Sequence, residues 1–290
     1  MIATVINFST NEALFFRQCL EEALLFSHQV IVPVCDHFFD GTPENVELLN
    51  GIYAAHPEVQ FIQYAWSKDN FYGGHSTHYW HNISRLLGSH FVDSRVKYVL
   101  FLDVDEIVEG KAFARWLDQF PLKDFSALRL ACYWYFRESK YQATAWEDTP
   151  LLICKEALHY DALMHPYERA GTFAVVEGEK RRQVTSMEQL PMVHHYSWVR
   201  SKEALLRKVR SWGHRDERDW ENLVEAEFSR PFSGTDFVHG YSFKEVESFL
   251  KTNEYFPSKE KVKNVTYLST ADIHKIDLKR LLTDLFSSLF

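Results

Sequence analysis

The chain has 290 residues, a formal net charge of -8, 46% hydrophobic and 25% charged residues. Those values exclude a disordered or fibrous chain and suit one large α/β domain, or a domain with a C-terminal extension. The mild acidity argues against a dedicated nucleic-acid binder, which carries a basic footprint, yet a phosphate-bearing small ligand needs only a few local cations.

Residues 2–7, IATVIN, form a short apolar and β-branched run, as expected of a strand buried on both faces. Ser9 and Glu12 have capping-box spacing, which predicts a helix starting near Asn11. Phe15, Cys19, Ala23 and Phe26 recur on one face of it. VIVPVC is the second strand, in which Pro33 marks either the strand's end or an edge, because proline donates nothing to a ladder. Asp40-Gly41-Thr42-Pro43 is a turn, with Pro43 placed to open a helix striped by Val46, Leu49 and Tyr53. VQFIQYA is a weaker strand. Residues 66–75, with Gly73 and Gly74, are a loop, and Tyr79, Ile83, Leu86 and His90 stripe the next helix. KYVLFLDV is the strongest buried strand in the chain and ends in acidic residues. This alternation of strand and helix predicts a mostly parallel sheet covered on both faces.

Past residue 110 the pattern changes. Phe113, Trp116, Leu117 and Phe120 mark a short helix. Residues 127–136 alternate cleanly, with Leu128, Leu130, Cys132, Trp134 and Phe136 on one face and Arg129, Tyr133 and Tyr135 on the other. MVHHYSW is a further strand, and RSKEALLRKVRSWGH a helix that buries Leu205, Val209 and Trp212. The last third is helical and aromatic. Leu278, Leu281, Leu282, Leu285 and Leu289 share a face that can dock on the domain, on another subunit or shallowly on a membrane; its low cationic content favours protein.

The four cysteines form no CxxC pair and lie in apolar surroundings, which predicts reduced core thiols and a cytoplasmic protein. The N-terminus lacks the charged start and cleavage site of a signal peptide, and no apolar run has the length of a membrane span.

The chemistry concentrates at YVLFLDVDE. Ligands of a parallel sheet collect at the carboxyl ends of its strands. Asp103 and Asp105 are at that end, two positions apart. Two crowded carboxylates repel unless a cation neutralises them. Hard oxygen ligands suit Mg²⁺ or Mn²⁺, which also take phosphate oxygens. Glu106 can be a third ligand, a supporting partner or solvent-facing, and the bland alternative is a solvated acidic loop.

NEALFFRQCL, VIVPVCDHFFDGT and YVLFLDVDE, in that order and approximate spacing, resemble the nucleotide-sugar half of family 2-like GT-A glycosyltransferases. The resemblance covers about the first 110 residues and is looser beyond. It departs from the family pattern at Pro33 and at Cys35-Asp36. It implies a GT-A fold with a mostly parallel central sheet and helices on both faces. It further implies a single domain over 1–290: a nucleotide-sugar half at 1–110, an acceptor and catalytic half at 111–240, and a helical extension at 241–290. Asn11 and Glu12 match the Asn-Glu after the first strand. Asp36 matches the base-contacting Asp, although Asp also starts turns readily. Asp103 and Asp105 match the motif that holds Mn²⁺ or Mg²⁺ on the diphosphate of a UDP- or GDP-sugar. The acceptor hydroxyl, on a glycan, lipid-linked or protein acceptor, would lose its proton to Asp148, with Glu147 second in line. Some GT-A enzymes add a late histidine to the metal. His194 and His195 point to opposite faces of an extended chain, and His195 is the preferred ligand. Lys202 and Arg207 are candidates to balance the leaving diphosphate, against the plain reading of a solvated basic face. Inversion with a carboxylate base is expected.

Two rivals stand beside this reading. The run ending in Asp103 and Asp105 also resembles the nucleophile motif of haloacid dehalogenase-like phosphatases, with Asp103 phosphorylated. The other rival is a non-catalytic carbohydrate- or partner-binding relative.

Overall fold

The computed structural model describes residues 1–67, 78–263 and 265–277. Its elements in chain order are β1 (Ile2–Asn7), α1 (Ala13–Leu24), β2 (Gln29–Cys35), α2 (Val46–Ala55), β3 (Gln60–Tyr64), α3 (Tyr79–His90), β4 (Tyr98–Asp103) and β5 (Glu106–Val108). There follow α4 (Gly110–Gln119), β6 (Ala127–Leu130), β7 (Cys132–Phe136), β8 (Glu138–Glu147), β9 (Leu151–Cys154), α5 (Tyr160–Leu163) and α6 (Glu168–Val175). The chain continues with β10 (Lys180–Val184), β11 (Val193–Trp198), α7 (Lys202–Ser211), α8 (Trp220–Phe228), β12 (Phe243–Glu245) and β13 (Thr266–Leu268).

The larger sheet has the order β10-β6-β9-β4-β1-β2-β3-β13. It is parallel except at β9, which runs against both β4 and β6. Alternation along β1 explains the layers. Ile2 and Ile6 face a core shared with Phe15, Phe16 and Leu20 of α1. Ala3 and Val5 face Ile83, Leu86 and Leu87 of α3. A smaller sheet, β12-β8-β7-β11-β5, carries a third core in which Trp134, Phe136 and Trp198 pack on Leu205 and Val209 of α7 and Val224 of α8.

Several expectations are corrected. Pro33 is neither at an end nor on an edge, since β2 lies between β1 and β3. Its missing donor coincides with a gap in the β1–β2 ladder, which runs to Val5↔Ile31 and resumes only at Phe8↔Val34. The capping box at Ser9 does not form. Ser9 makes no side-chain cap, a 3₁₀ turn over Thr10–Glu12 precedes α1, and the Glu12 carboxylate turns to Arg200 and Lys208. Pro43 does not open α2; the Asn45 side chain caps it by accepting from Leu48 N–H, and Val46 is exposed. The alternating run 127–136 is two strands, β6 and β7, in different sheets, with the chain changing sheets at Ala131.

The extension at 241–290 also differs from a helical one. Past β12 an extended strap crosses α1 and α2, held where Gln18 Nε2 donates to the Phe249 carbonyl, Lys251 N–H donates to Gln18 Oε1, and Ser258 N–H donates to the Glu47 carbonyl. Gly51 permits the crossing: a Cβ there would sit 2.0 Å from the Phe256 carbonyl oxygen. The strap ends as β13, parallel to β3. Helix returns only at 270–277, and the leucine face from Leu278 to Leu289 lies outside the described residues, as do Gly73 and Gly74. Cys19, Cys35 and Cys132 are buried free thiols, and Cys154 is a half-buried one. Among the described residues no helix is long and apolar enough to cross a membrane.

Candidate active site

Chain order makes the site. β1 to β3 advance in one direction across the sheet, and β4 then joins the other side of β1. Ligands of such sheets enter at this switch point, outside the strands' carboxyl ends. Here the last residues of β1 and β4, Asn7 and Asp103, are paired in register, and Asn7 Nδ2 donates to Asp103 Oδ1 at 3.1 Å. A cavity of about 890 Å³ opens over them. Its walls bring together Asn11, Glu12, Asp103, Asp105, Glu147 and His195 of the sequence-derived candidates.

The acidic lip is neutralised from within the protein. Arg169 Nη2 donates to Asp103 Oδ2 at 2.8 Å, and Arg85 Nη2 reaches Asp103 Oδ1 at 3.4 Å. Arg200 Nη2 and Lys208 Nζ donate to Asp105 Oδ2 at 2.8 and 2.9 Å. The same two cations reach Glu12 Oε1 at 2.7 and 3.1 Å. Glu106 is fully buried, accepts from the Asp103 backbone N–H and binds Arg169 through both oxygens. It therefore braces the lip from beneath. Four cations thus face four carboxylates. Burial opposes ionisation of Asp103 and Asp105. For Asp103 the charges of Arg169 and Arg85 prevail, and for Asp105 those of Lys208, His195 and Arg200; both carboxyls are held below their ordinary range. Glu12 goes the other way, because burial outweighs its pairing with Lys208 and raises it.

His194 and His195 do face opposite ways. Tyr135 Oη lies 2.7 Å from His194 Nδ1 and Glu109 lies 2.9 Å from its Nε2, a structural arrangement. His195 lines the cavity, its Nε2 3.7 Å from Asp105 Oδ1 and its ring edge-on to Trp134. The donor set of Asp103, Asp105 and His195 does not fit a divalent ion as it stands. Both Asp103 oxygens and Asp105 Oδ2 are held by nitrogen donors. Among the described residues the one trio of potential ligands that converges is His78, Glu168 and His214.

Asp148 and Glu147, the two carboxylates expected to face an acceptor, separate. Asp148 is buried, bound by Arg182 through both oxygens and by Arg129, and is not on the cavity wall. Glu147 is on the wall, with His239 Nε2 3.1 Å from its Oε1 and Tyr241 Oη donating to that oxygen at 3.4 Å. Of the two carboxylates, Glu147 is the one that lines the cavity.

Asp36 also stands off the cavity. Its Oδ1 accepts from Trp66 N–H at 2.7 Å and lies 2.6 Å from His37 Nδ1, while Cys35, His37, Phe38 and Phe39 form the wall. The Asp40–Thr42 turn needs Gly41, at φ +87° and directly beneath the Trp66 ring. Asn11 Nδ2 donates to Ser211 Oγ at 3.4 Å, and its carbonyl accepts from Arg200. Lys202 pairs with Glu225 away from the cavity, and Arg207 is likewise absent from its wall; Lys208 is the cation of α7 that reaches it.

No family model matches the chain, and no curated protein matches it. Among solved structures it is similar to a 4-diphosphocytidyl-2C-methyl-D-erythritol synthase from Anaerococcus prevotii, over 65% of this chain and 92% of that one, with 10% identity and a TM-score of 0.42. It is also similar to the glycosyltransferase GlyE of Streptococcus pneumoniae, over 78% of this chain and 63% of that one, with 12% identity and a TM-score of 0.38. Likenesses this distant carry neither fold detail nor function. The site rests on its own geometry.

Proposed function

We propose that the chain is a GT-A-type glycosyltransferase that moves a sugar from a nucleotide-sugar donor, UDP- or GDP-linked, to a hydroxyl acceptor with inversion. The observation that carries this reading is the cavity at the β1/β4 switch point, where Asn7 and Asp103 meet in register beneath walls of aromatic and charged side chains.

The chain's own groups divide the work. Among the described residues Lys208 is one of four cations on the wall, with Arg129, Arg169 and Arg218, and an incoming diphosphate would share it with Asp105 and Glu12. Arg169 and Arg85 hold Asp103, and Arg200 holds Asp105, so the lip keeps one shape while the donor enters. The acceptor oxygen attacks the sugar's anomeric carbon as its proton passes to the Glu147 carboxylate. The bond from that carbon to the diphosphate breaks, and its electron pair leaves on the diphosphate oxygen. His239 and Tyr241 aim Glu147. A phosphatase reading needs Asp103 free to attack, and both of its oxygens are held.

The test is a thermal-shift and donor-hydrolysis screen of nucleotide sugars against simple phosphomonoesters. Stabilisation by a UDP- or GDP-sugar, lost in Lys208→Ala, is the expected result. Release of phosphate from phosphomonoesters with no response to any nucleotide sugar would overturn it.

A further inference from the structure

The acidic lip consumes the cations around it, so a donor diphosphate entering this cavity gains little net positive charge from that wall. A second cluster stands on another part of the same cavity wall. His78 precedes α3, Glu168 opens α6, and His214 follows α7. One ligand atom from each of the three lies within 4.8 Å of the other two.

We propose that His78, Glu168 and His214 form a binding site for a first-row transition ion, Zn²⁺ or Mn²⁺. Two imidazoles and one carboxylate make a set of three protein ligands with a position left open for water or a phosphate oxygen. The imidazoles suit Zn²⁺ best, the carboxylate and an open water position also admit Mn²⁺, and Mg²⁺ prefers an all-oxygen set.

The surroundings are built for it. Arg85 Nη1 lies 3.0 Å from Glu168 Oε2 and fixes the carboxylate, while Oε1 shares a hydrogen bond with His78 Nδ1 at 2.5 Å; unlike the guanidinium and ammonium donors at the lip, an imidazole can release that proton, and the ion would take its place. Glu217 Oε1 sits 2.6 Å from His214 Nδ1, which orients that ring and leaves Nε2 as the lone-pair atom. The two histidine rings are 4.6 Å apart and edge-on, so they can address one point without stacking shut. Gly213 lets the chain pass beside them, since a Cβ there would lie 3.3 Å from His78 Nδ1 and 3.1 Å from His81. Arg85 also reaches Asp103, so an ion here would sit one residue away from the acidic lip.

The choice of this cavity rests in part on the donor reading; the test does not. The EDTA-treated full chain is titrated with ZnCl₂ and MnCl₂ by calorimetry and with CoCl₂ by visible absorption. One ion per chain is expected, with Co²⁺ ligand-field bands and no displacement by excess Mg²⁺. The His214 side chain is 43% exposed, so His214→Ala keeps the fold, and it should weaken binding by at least about 10–100-fold. Glu168→Gln should do the same, whereas Asp105→Asn should not. Absence of binding by all three ions, an unchanged affinity in His214→Ala, or loss confined to Asp105→Asn overturns the site. Nucleotide-sugar stabilisation that survives such a result would leave the donor reading standing.

Discussion

Two parts of one cavity handle negative charge in opposite ways. At the lip, Asp103, Asp105, Glu12 and Glu106 are matched by Arg85, Arg169, Arg200 and Lys208, all covalently part of the chain. At the second cluster, Glu168 shares Arg85 and otherwise meets histidines. Fixed guanidinium groups give a permanent shape, because removing one leaves a buried charge without a partner. Imidazoles give a site whose charge arrives from solution. The lesson is that an acidic strand end by itself does not locate a metal; the basicity of its neighbours decides.

The comparison breaks most visibly at Arg169. Arg169→Ala strands the fully buried Glu106 and should destabilise the protein by about 3–5 kcal/mol in urea denaturation. A loss under about 1 kcal/mol would mean that the lip is not held as described.

The next effect is kinetic. Glu147→Gln should lower turnover by about 10²–10⁴-fold with stability unchanged. Asp148→Asn should instead destabilise, because Arg129 and Arg182 lose their shared partner. The reverse pattern would return the base to Asp148.

Glu44 supplies a third kind of carboxylate on the same wall, with neither arginine nor histidine bound to it among the described residues. It accepts from Thr10 and from Asn45 N–H, yet burial outweighs those bonds and pushes its carboxyl up to about 7. The folded form therefore binds its proton more tightly than the unfolded form. Its contribution is complete below about pH 4.5 and is lost as pH rises to about 7, with a span on the order of 3 kcal/mol. Glu44→Gln should remove that fall from a stability–pH profile measured by thermal melting. An unchanged profile refutes the assignment.

Zn²⁺ at about 100 times its dissociation constant should stabilise wild type by about 2.7 kcal/mol and His214→Ala hardly at all. The smallest change belongs to Lys202, whose exposed pair with Glu225 lies off the cavity; Lys202→Ala should shift stability by less than about 1 kcal/mol and leave donor binding intact. A strong loss of donor binding would restore Lys202 to the site.

Much of the parallel half was legible because strand burial and helix stripes are local signals. β1, α1, β2 and β4 lie where apolar runs and periodicity put them, and the acidic end of β4 falls at the sheet's switch point. Strand alternation put His194 and His195 on opposite faces but did not tell which of the two meets the cavity. Lys208 was within reach of the same reasoning, because its helical phase falls with Leu205 and Trp212. Arg169 and Glu168 were not legible, because what matters about them is contact with β4 and α3, some 65 to 90 positions earlier. The break at Ala131 was hidden for a related reason: alternation persists through a change of sheet, so periodicity cannot register it. The strap was misread because aromatic residues at irregular intervals fit helix and extended chain alike.

That strap carries a consequence for how the molecule is made. Thr266 pairs with Ile62, so among the described residues the strand beyond β3 comes from roughly two hundred positions later in the chain. During synthesis β3 stands as an open edge until roughly two hundred further residues have emerged, an interval in which bare backbone donors and acceptors can recruit a neighbour. Nascent chains halted before that point should be the ones that chaperones hold longest.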